Sequence, residues 1–134
     1  MSVKVSEVML TGEQVPIVHP GQTLLEAVQM DINDLGATLV VEEESQMLVG
    51  IITDGDLRRL FKRKTSLGKA LVEQVMTPDP KSISPDIRAS EALEMMEEYL
   101  ITVLPIVDSH KRVLGILHLH DLLGKGEFKF NIQE

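Results

Sequence analysis

Two stretches carry the residue types and spacing for chemistry. Gly50-Ile-Ile-Thr53-Asp-Gly-Asp56 and Gly115-Ile-Leu-His118-Leu-His120-Asp121 each place polar side chains where an apolar, strand-like run hands over to a helix-like one. Such a junction leaves backbone N–H groups unpaired beside the positive end of a helix dipole. A hydroxyl at Thr53 can bond a phosphate oxygen there, and Asp56, three residues on, can accept both hydroxyls of a ribose. The local alternative needs no ligand: Thr53 as N-cap and Asp56 in the first turn form an ordinary helix start. The aspartate recurs as Asp121, but His118 stands where the first copy has threonine. Histidine is not expected to cap as threonine does, so capping is expected to explain the first copy better than the second.

Other polar residues have two readings each. His118-Leu-His120-Asp121 could ligate a metal, but only His19 and His110 remain elsewhere. No metal is expected, and His118 and His120 read as the lining of a ligand cleft, where imidazole meets phosphate or carboxylate. Arg88 occupies a helix start, where arginine caps poorly; it either contacts an anionic ligand or faces solvent. The basic run Arg58-Arg59-Leu-Phe-Lys62-Arg-Lys64 is a solvated helix face, a rim attracting an anion, or a docking face. No catalytic constellation emerges: there is no nucleophile turn, phosphate-binding loop or dinucleotide glycine motif, and no cofactor is expected.

The elements that position these residues come from an internal duplication. Shifted by 65 positions, residues 20–57 lie over 85–122 without a gap, with 10 identities in 38 positions. The matches include Pro20 with Pro85, Glu26-Ala27 with Glu91-Ala92, Leu39 with Leu104, Gly50-Ile51 with Gly115-Ile116 and Asp56-Leu57 with Asp121-Leu122. Upstream, Val8-Met9 repeats as Val75-Met76 at a shift of 67. In the first copy, helical apolar spacing predicts a helix over Thr23 to Leu35, opened by the capping-box pattern Thr23-Leu-Leu-Glu26 and stopped by Gly36. Strands follow at Ala37 to Val41 and Leu48 to Thr53, then a helix at Asp54 to Lys62. The second copy repeats this, with a helix carrying Ala89, Ala92, Leu93 and Met96, strands at Thr102–Val107 and Val113–His118, and a last helix near Asp121. Short leading strands fall around Ile17 and Ile83. The fold class is therefore α+β: two βαββα repeats, 1–63 (core about 5–62) and 64–134 (core about 72–124, then a tail), packed with pseudo-twofold symmetry.

Composition sets outer bounds. The chain has 134 residues, a formal net charge of −8 and no cysteine. Excess negative charge disfavours nucleic acid and anionic membranes as partners. Without cysteine there are no disulfides or thiolate sites. Neither a spanning apolar run nor a signal-peptide core is present, and a cytoplasmic location is expected.

The duplicated pattern of Val-Met entries, Glu-Ala helices and Gly-apolar-apolar-[Ser/Thr]-x-x-Asp endings resembles the CBS domain pair, from about Val5 to Gly124. The phrases GIITDGDLRRLF, VMTPDPKSISPD and GILHLHDLL are similar to the C-terminal CBS pair of the arabinose 5-phosphate isomerases. The resemblance implies a regulatory Bateman module, not itself an enzyme, that binds an adenine nucleotide such as AMP or ATP, or a related ligand, between its repeats. It also implies a sugar isomerase (SIS) domain as N-terminal partner in the parent protein, and a homo-oligomer. Because those enzymes feed synthesis of Kdo in lipopolysaccharide, the nucleotide sugar CMP-Kdo is a further candidate ligand. By position, Thr53 and Asp56 fit the phosphate and ribose sites of repeat one, and Asp121 fits the ribose site of repeat two. His118 departs from the usual Ser or Thr. Segments near Val18 and Ile83 correspond to the walls that hold a base.

Overall fold

The structure is a computed structural model that describes residues 3–30, 36–63, 66 and 68–123. In chain order the elements are β1 (Ile17–Val18), α1 (Leu24–Met30), β2 (Ala37–Val41), β3 (Leu48–Thr53), α2 (Asp54–Lys62), α3 (Val72–Val75), β4 (Thr77–Pro78), α4 (Ala89–Tyr99), β5 (Val103–Val107), β6 (Val113–His118) and α5 (Leu119–Leu123). Two short 3-10 turns, Val5–Glu7 and Gly12–Gln14, precede β1. Helix α1 starts on the reciprocal bonds expected of its capping box: Glu26 N–H donates to Thr23 Oγ1 (3.3 Å) and Thr23 N–H to Glu26 Oε1 (3.2 Å). The rest of the helix expected to reach Leu35 lies outside the described residues.

The first sheet runs β1-β2-β3-β4. Its hairpin pairs Ala37 with Thr53 and Leu39 with Ile51, and β1 adds in parallel. The second sheet centres on the β5–β6 hairpin, with Val103 opposite His118. Single bridges extend it on both sides, Ile83 to Ile106 in parallel and Leu10 to Ile116 antiparallel. Strand β4 belongs by sequence to the second repeat, yet it pairs with β3 of the first. Leu10, from the first repeat, pairs with β6 of the second. The two copies thus exchange their entry segments. The exchange continues at the helix starts. Leu24 N–H donates to Ala70 O (2.8 Å) and Val72 N–H to Gln22 O (2.8 Å), while Ala89 N–H donates to Val3 O (2.8 Å) and Val5 N–H to Ile87 O (2.9 Å). Each set is the other's image under the repeat. Met47 bridges Arg112, its own counterpart at a shift of 65, so the pseudo-twofold axis passes there.

The apolar residues divide into three clusters. Between the sheets lie Leu39, Val41, Leu48, Ile51, Val103, Val107 and Ile116. Outside the first sheet, Val18, Val40, Ile52 and Leu60 pack with Leu24 of α1 and with Val72 from the exchanged segment. Outside the second, Leu104, Ile106 and Leu117 pack with Ala92 and Met96 of α4 and with Val5. Both faces of each hairpin are covered, so β2 and β5 read as largely apolar runs without alternation, with Thr38 the one polar residue, itself buried. Strand pairing also revises the gap-free alignment. Ala37 and Val103, the equivalent partners of Thr53 and His118, are 66 residues apart, one more than the shift. Leu39 and Leu104 are therefore not equivalent: Leu39 faces the other sheet and Leu104 faces α4. A slip of one residue in a strand exchanges its faces.

The exchange accounts for the paired glycines in mid-strand. A Cβ on Gly50 would collide with the Met76 side chain and lie 3.1 Å from Thr77 O. One on Gly115 would lie 2.5 Å from Leu10 O and 2.9 Å from Met9 Sδ. The repeated Val-Met pair thus covers the repeated glycine of the opposite copy.

Candidate functional site

A cleft of about 830 Å³ opens where the two sheets diverge, at the strand ends carrying Thr53 and His118. Its floor is the exposed limit of the inter-sheet core, Ala37, Ile51, Val103 and Pro105. One end is formed by Gly36, Thr53, Asp54 and Gly55, the other by Leu100, Ile101, Thr102, His118 and His120. The crossing segment Thr77–Lys81 supplies Thr77, Asp79, Pro80 and Lys81 to the wall.

At the first end Thr53 is the N-cap of α2, as its position predicts. Asp56 N–H donates to Thr53 Oγ1 (3.3 Å), and Thr53 N–H donates back to Asp56 Oδ2 (2.9 Å). Asp56 is 5% exposed. Its carboxylate also accepts the hydroxyls of Thr53 (3.2 Å) and Thr77 (3.3 Å) and pairs with Arg59. It sits behind Thr53 and Thr77 and is not among the groups lining the cleft.

The second end overturns the expectation that histidine breaks the capping pattern. His120 N–H donates to His118 Nδ1 (3.0 Å), and His118 N–H donates to Asp121 Oδ2 (2.9 Å). Imidazole Nδ1 lies near enough to its own backbone to replace a hydroxyl oxygen, so both copies are capped, although His118 accepts from His120 N–H where Thr53 accepts from Asp56 N–H. As acceptor, Nδ1 must be unprotonated, which leaves the neutral ring's proton on Nε2. His118 is 7% exposed. Burial, and then the neighbouring His120, hold its pKa below the usual histidine range, against the pull of Asp121. The two rings lie 4.3 Å apart, centre to centre. The described residues contain no group of three His, Asp or Glu side chains placed to hold a metal.

Of the residues singled out from sequence, Thr53, His118 and His120 line one cleft, with Asp56 and Asp121 in the caps behind it. Arg88, Val18 and Ile83 lie elsewhere. Arg88 is exposed at the start of α4, without a side-chain cap, and bridges Lys4 through backbone. Val18 and Ile83 are equivalent strand residues turned to the outer cores, away from the cleft. Sequence reasoning missed Thr77, Lys81, Thr102 and Pro105. The repeated Val-Met pair marks the entry segment, but nothing local to Thr77–Lys81 shows that the chain crosses to the other copy there. Lys81 holds its ammonium 4.6 Å over the Tyr99 ring, on the side of the second end.

The family model for the CBS domain matches residues 5–63 and 72–126. Arabinose 5-phosphate isomerase KdsD of Francisella tularensis is 42% identical over 120 residues, covering 90% of this chain and 36% of that protein. The enzyme of that name from Pseudomonas aeruginosa is 42% identical over 124 residues, covering 92% and 38%. The chain thus spans little more than a third of the length of these relatives. Among solved structures, the CBS domain protein PAE2072 from Pyrobaculum aerophilum, complexed with AMP, superposes with a TM-score of 0.85 at 15% identity, covering 98% of each chain.

Proposed function

This chain belongs to the CBS domain family, and from that footing we propose that it is a regulatory module, without catalytic activity of its own, that senses a nucleotide or nucleotide sugar. Its parent is an arabinose 5-phosphate isomerase whose catalytic SIS domain lies outside this sequence. The observation that carries the reading is the cleft itself: about 830 Å³, apolar on its floor and polar at both ends, built from equivalent strand ends of the two repeats. Volumes of this order suit a nucleotide, and an apolar floor with a few placed polar groups is how such ligands are held. The bound AMP of the Pyrobaculum protein and the names of the isomerase relatives support it. AMP, ATP and CMP-Kdo are the candidate ligands. A ligand would regulate by its differential affinity for two arrangements of the repeats or of the parent's domains. For Asp56 to bind a ribose, its carboxylate would exchange Thr77 or Arg59 for ribose hydroxyls; Asp121, among the described residues, bonds His118 N–H.

A thermal-shift screen with AMP, ATP, CMP and CMP-Kdo tests the proposal. A ligand at 100 times its Kd adds about 2.7 kcal/mol to the stability of the folded chain. A second reading, a module that only assembles its parent, is favoured by Phe61, 63% exposed on α2 beside Arg58 and Lys62. A stable oligomer in sedimentation, with no shift from any of the four compounds, would select that reading. Turnover of arabinose 5-phosphate by the chain alone would overturn the non-catalytic assignment.

A further inference from the structure

We propose that the chain pairs crosswise with a second copy of itself. The basic face of α2, in the first repeat of one copy, seats on an acidic groove beside α4, in the second repeat of the other, and the contact is made twice about a twofold axis. This goes beyond the sensing role and does not depend on the cleft holding a ligand.

Both surfaces are open on the chain. From Arg58 to Arg63 the sequence has four basic residues and no acidic one. Arg58 and Lys62 lie one turn apart on the exposed side of α2, away from buried Asp56 and Leu60, and Phe61 stands beside them, 63% exposed. An exposed aromatic ring among cations has the composition of an interface anchor. The groove lies between α4 and the segment 82–87. It holds about 440 Å³, with Ile83, Ile87 and Met95 as its apolar floor and Glu91, Glu94 and Glu98 along its α4 rim. Helix α4 carries four glutamates and no cation between Ala89 and Tyr99. Among the described residues, neither Arg58, Lys62 nor a rim glutamate is in an ion pair.

The duplication makes these charges informative. At the shift of 65, Arg58 and Arg59 correspond to Leu123 and Gly124, and Glu94 and Glu98 correspond to Gln29 and Asn33. The basic face therefore belongs to the first copy and the acidic rim to the second. Pairing like repeats would set Arg58 and Lys62 against themselves and the glutamates against themselves, which the field forbids. Crosswise pairing opposes unlike charges at both contacts and lays Phe61 on the apolar floor. It also offsets the mutual repulsion of two chains that each carry −8. A pair of contacts related by a twofold closes at two chains.

Sedimentation velocity of the full chain tests this, and a concentration-dependent dimer is expected. Phe61→Ser should weaken it about thirtyfold and Glu94→Lys about tenfold. Both positions are exposed, so cooperative urea unfolding of each variant should show that it still folds. Arg58→Glu should also dissociate by itself. Mixed in equal amounts with Glu94→Lys it should recover the dimer, because both crosswise contacts then join unlike charges. The chain has no cysteine, so orientation is read by adding one. Chains carrying Lys62→Cys and Ser84→Cys, mixed and oxidised, should cross-link to one another rather than each to itself. A monomer at every concentration, an open series of larger assemblies, a dimer that survives both Phe61→Ser and Glu94→Lys, or like-with-like cross-links would each overturn the inference. The thermal-shift screen separates it from the functional proposal. A crosswise dimer with no ligand shift fells the nucleotide reading alone, and a ligand shift in a chain that stays monomeric fells the pairing alone.

Discussion

Asp56 and His118 show how much of the cleft is decided by single side chains. Asp56 caps α2, holds Arg59 and takes the hydroxyl protons of Thr53 and Thr77. Asp56→Ala is expected to cost about 2 kcal/mol in urea unfolding, from the lost cap bonds and stranded partners. His118 links the second cap to pH. Its folded-state pKa lies below its unfolded one, so as pH falls the unfolded chain takes up the proton first. The stability the neutral ring contributes is intact above the ordinary histidine value of about 6.5 and is lost as pH falls through the folded value. Protonation also removes the lone pair that holds His120 N–H. Unfolding curves of the wild type and of His118→Thr across pH 8 to 5 check this: the variant should lose less stability on acidification.

Among the elements, the exchanged entry segments matter most. Val5 and Val72 are both fully buried, and each sits in the core of the opposite repeat. Val5→Ala should cost about 2 kcal/mol and raise amide exchange in α4, β5 and β6 rather than in α1 and β2. Val72→Ala should do the converse. Exchange that rises instead within the mutated residue's own repeat would refute the crossing. Gly50 and Gly115 belong to the same device. Gly115→Ala meets a backbone oxygen, which cannot move aside as a methionine side chain can, so it should destabilise by about 1–3 kcal/mol and more than Gly50→Ala.

On the scale of the whole molecule, neither repeat is complete by itself. Each sheet lacks an edge segment and each outer core lacks residues that the other copy supplies. Residues 1–63 and 64–134 made as separate chains should therefore each fail to fold. Mixed, they should recover the far-ultraviolet signal and cooperative unfolding of the intact chain. Cooperative unfolding of either half alone would contradict this.

Much of this molecule was legible because its information is periodic and local. The duplication, the helix and strand order, and the capping signatures of Thr23 and Thr53 follow from spacing along the chain. That the two strand–helix junctions are equivalent positions of the repeats follows in the same way. Four things were settled only by the tertiary structure. Which copy receives Thr77–Lys81 depends on chain crossing, which no local pattern encodes. The misalignment of Leu39 with Leu104 arose because apolar residues fill both faces of a doubly covered strand, so the letters carry no face. The turning of Val18 and Ile83 away from the cleft, and the donor ring of His118, depend on which way a side chain points. That is fixed by packing and hydrogen bonds across the fold rather than by residue type.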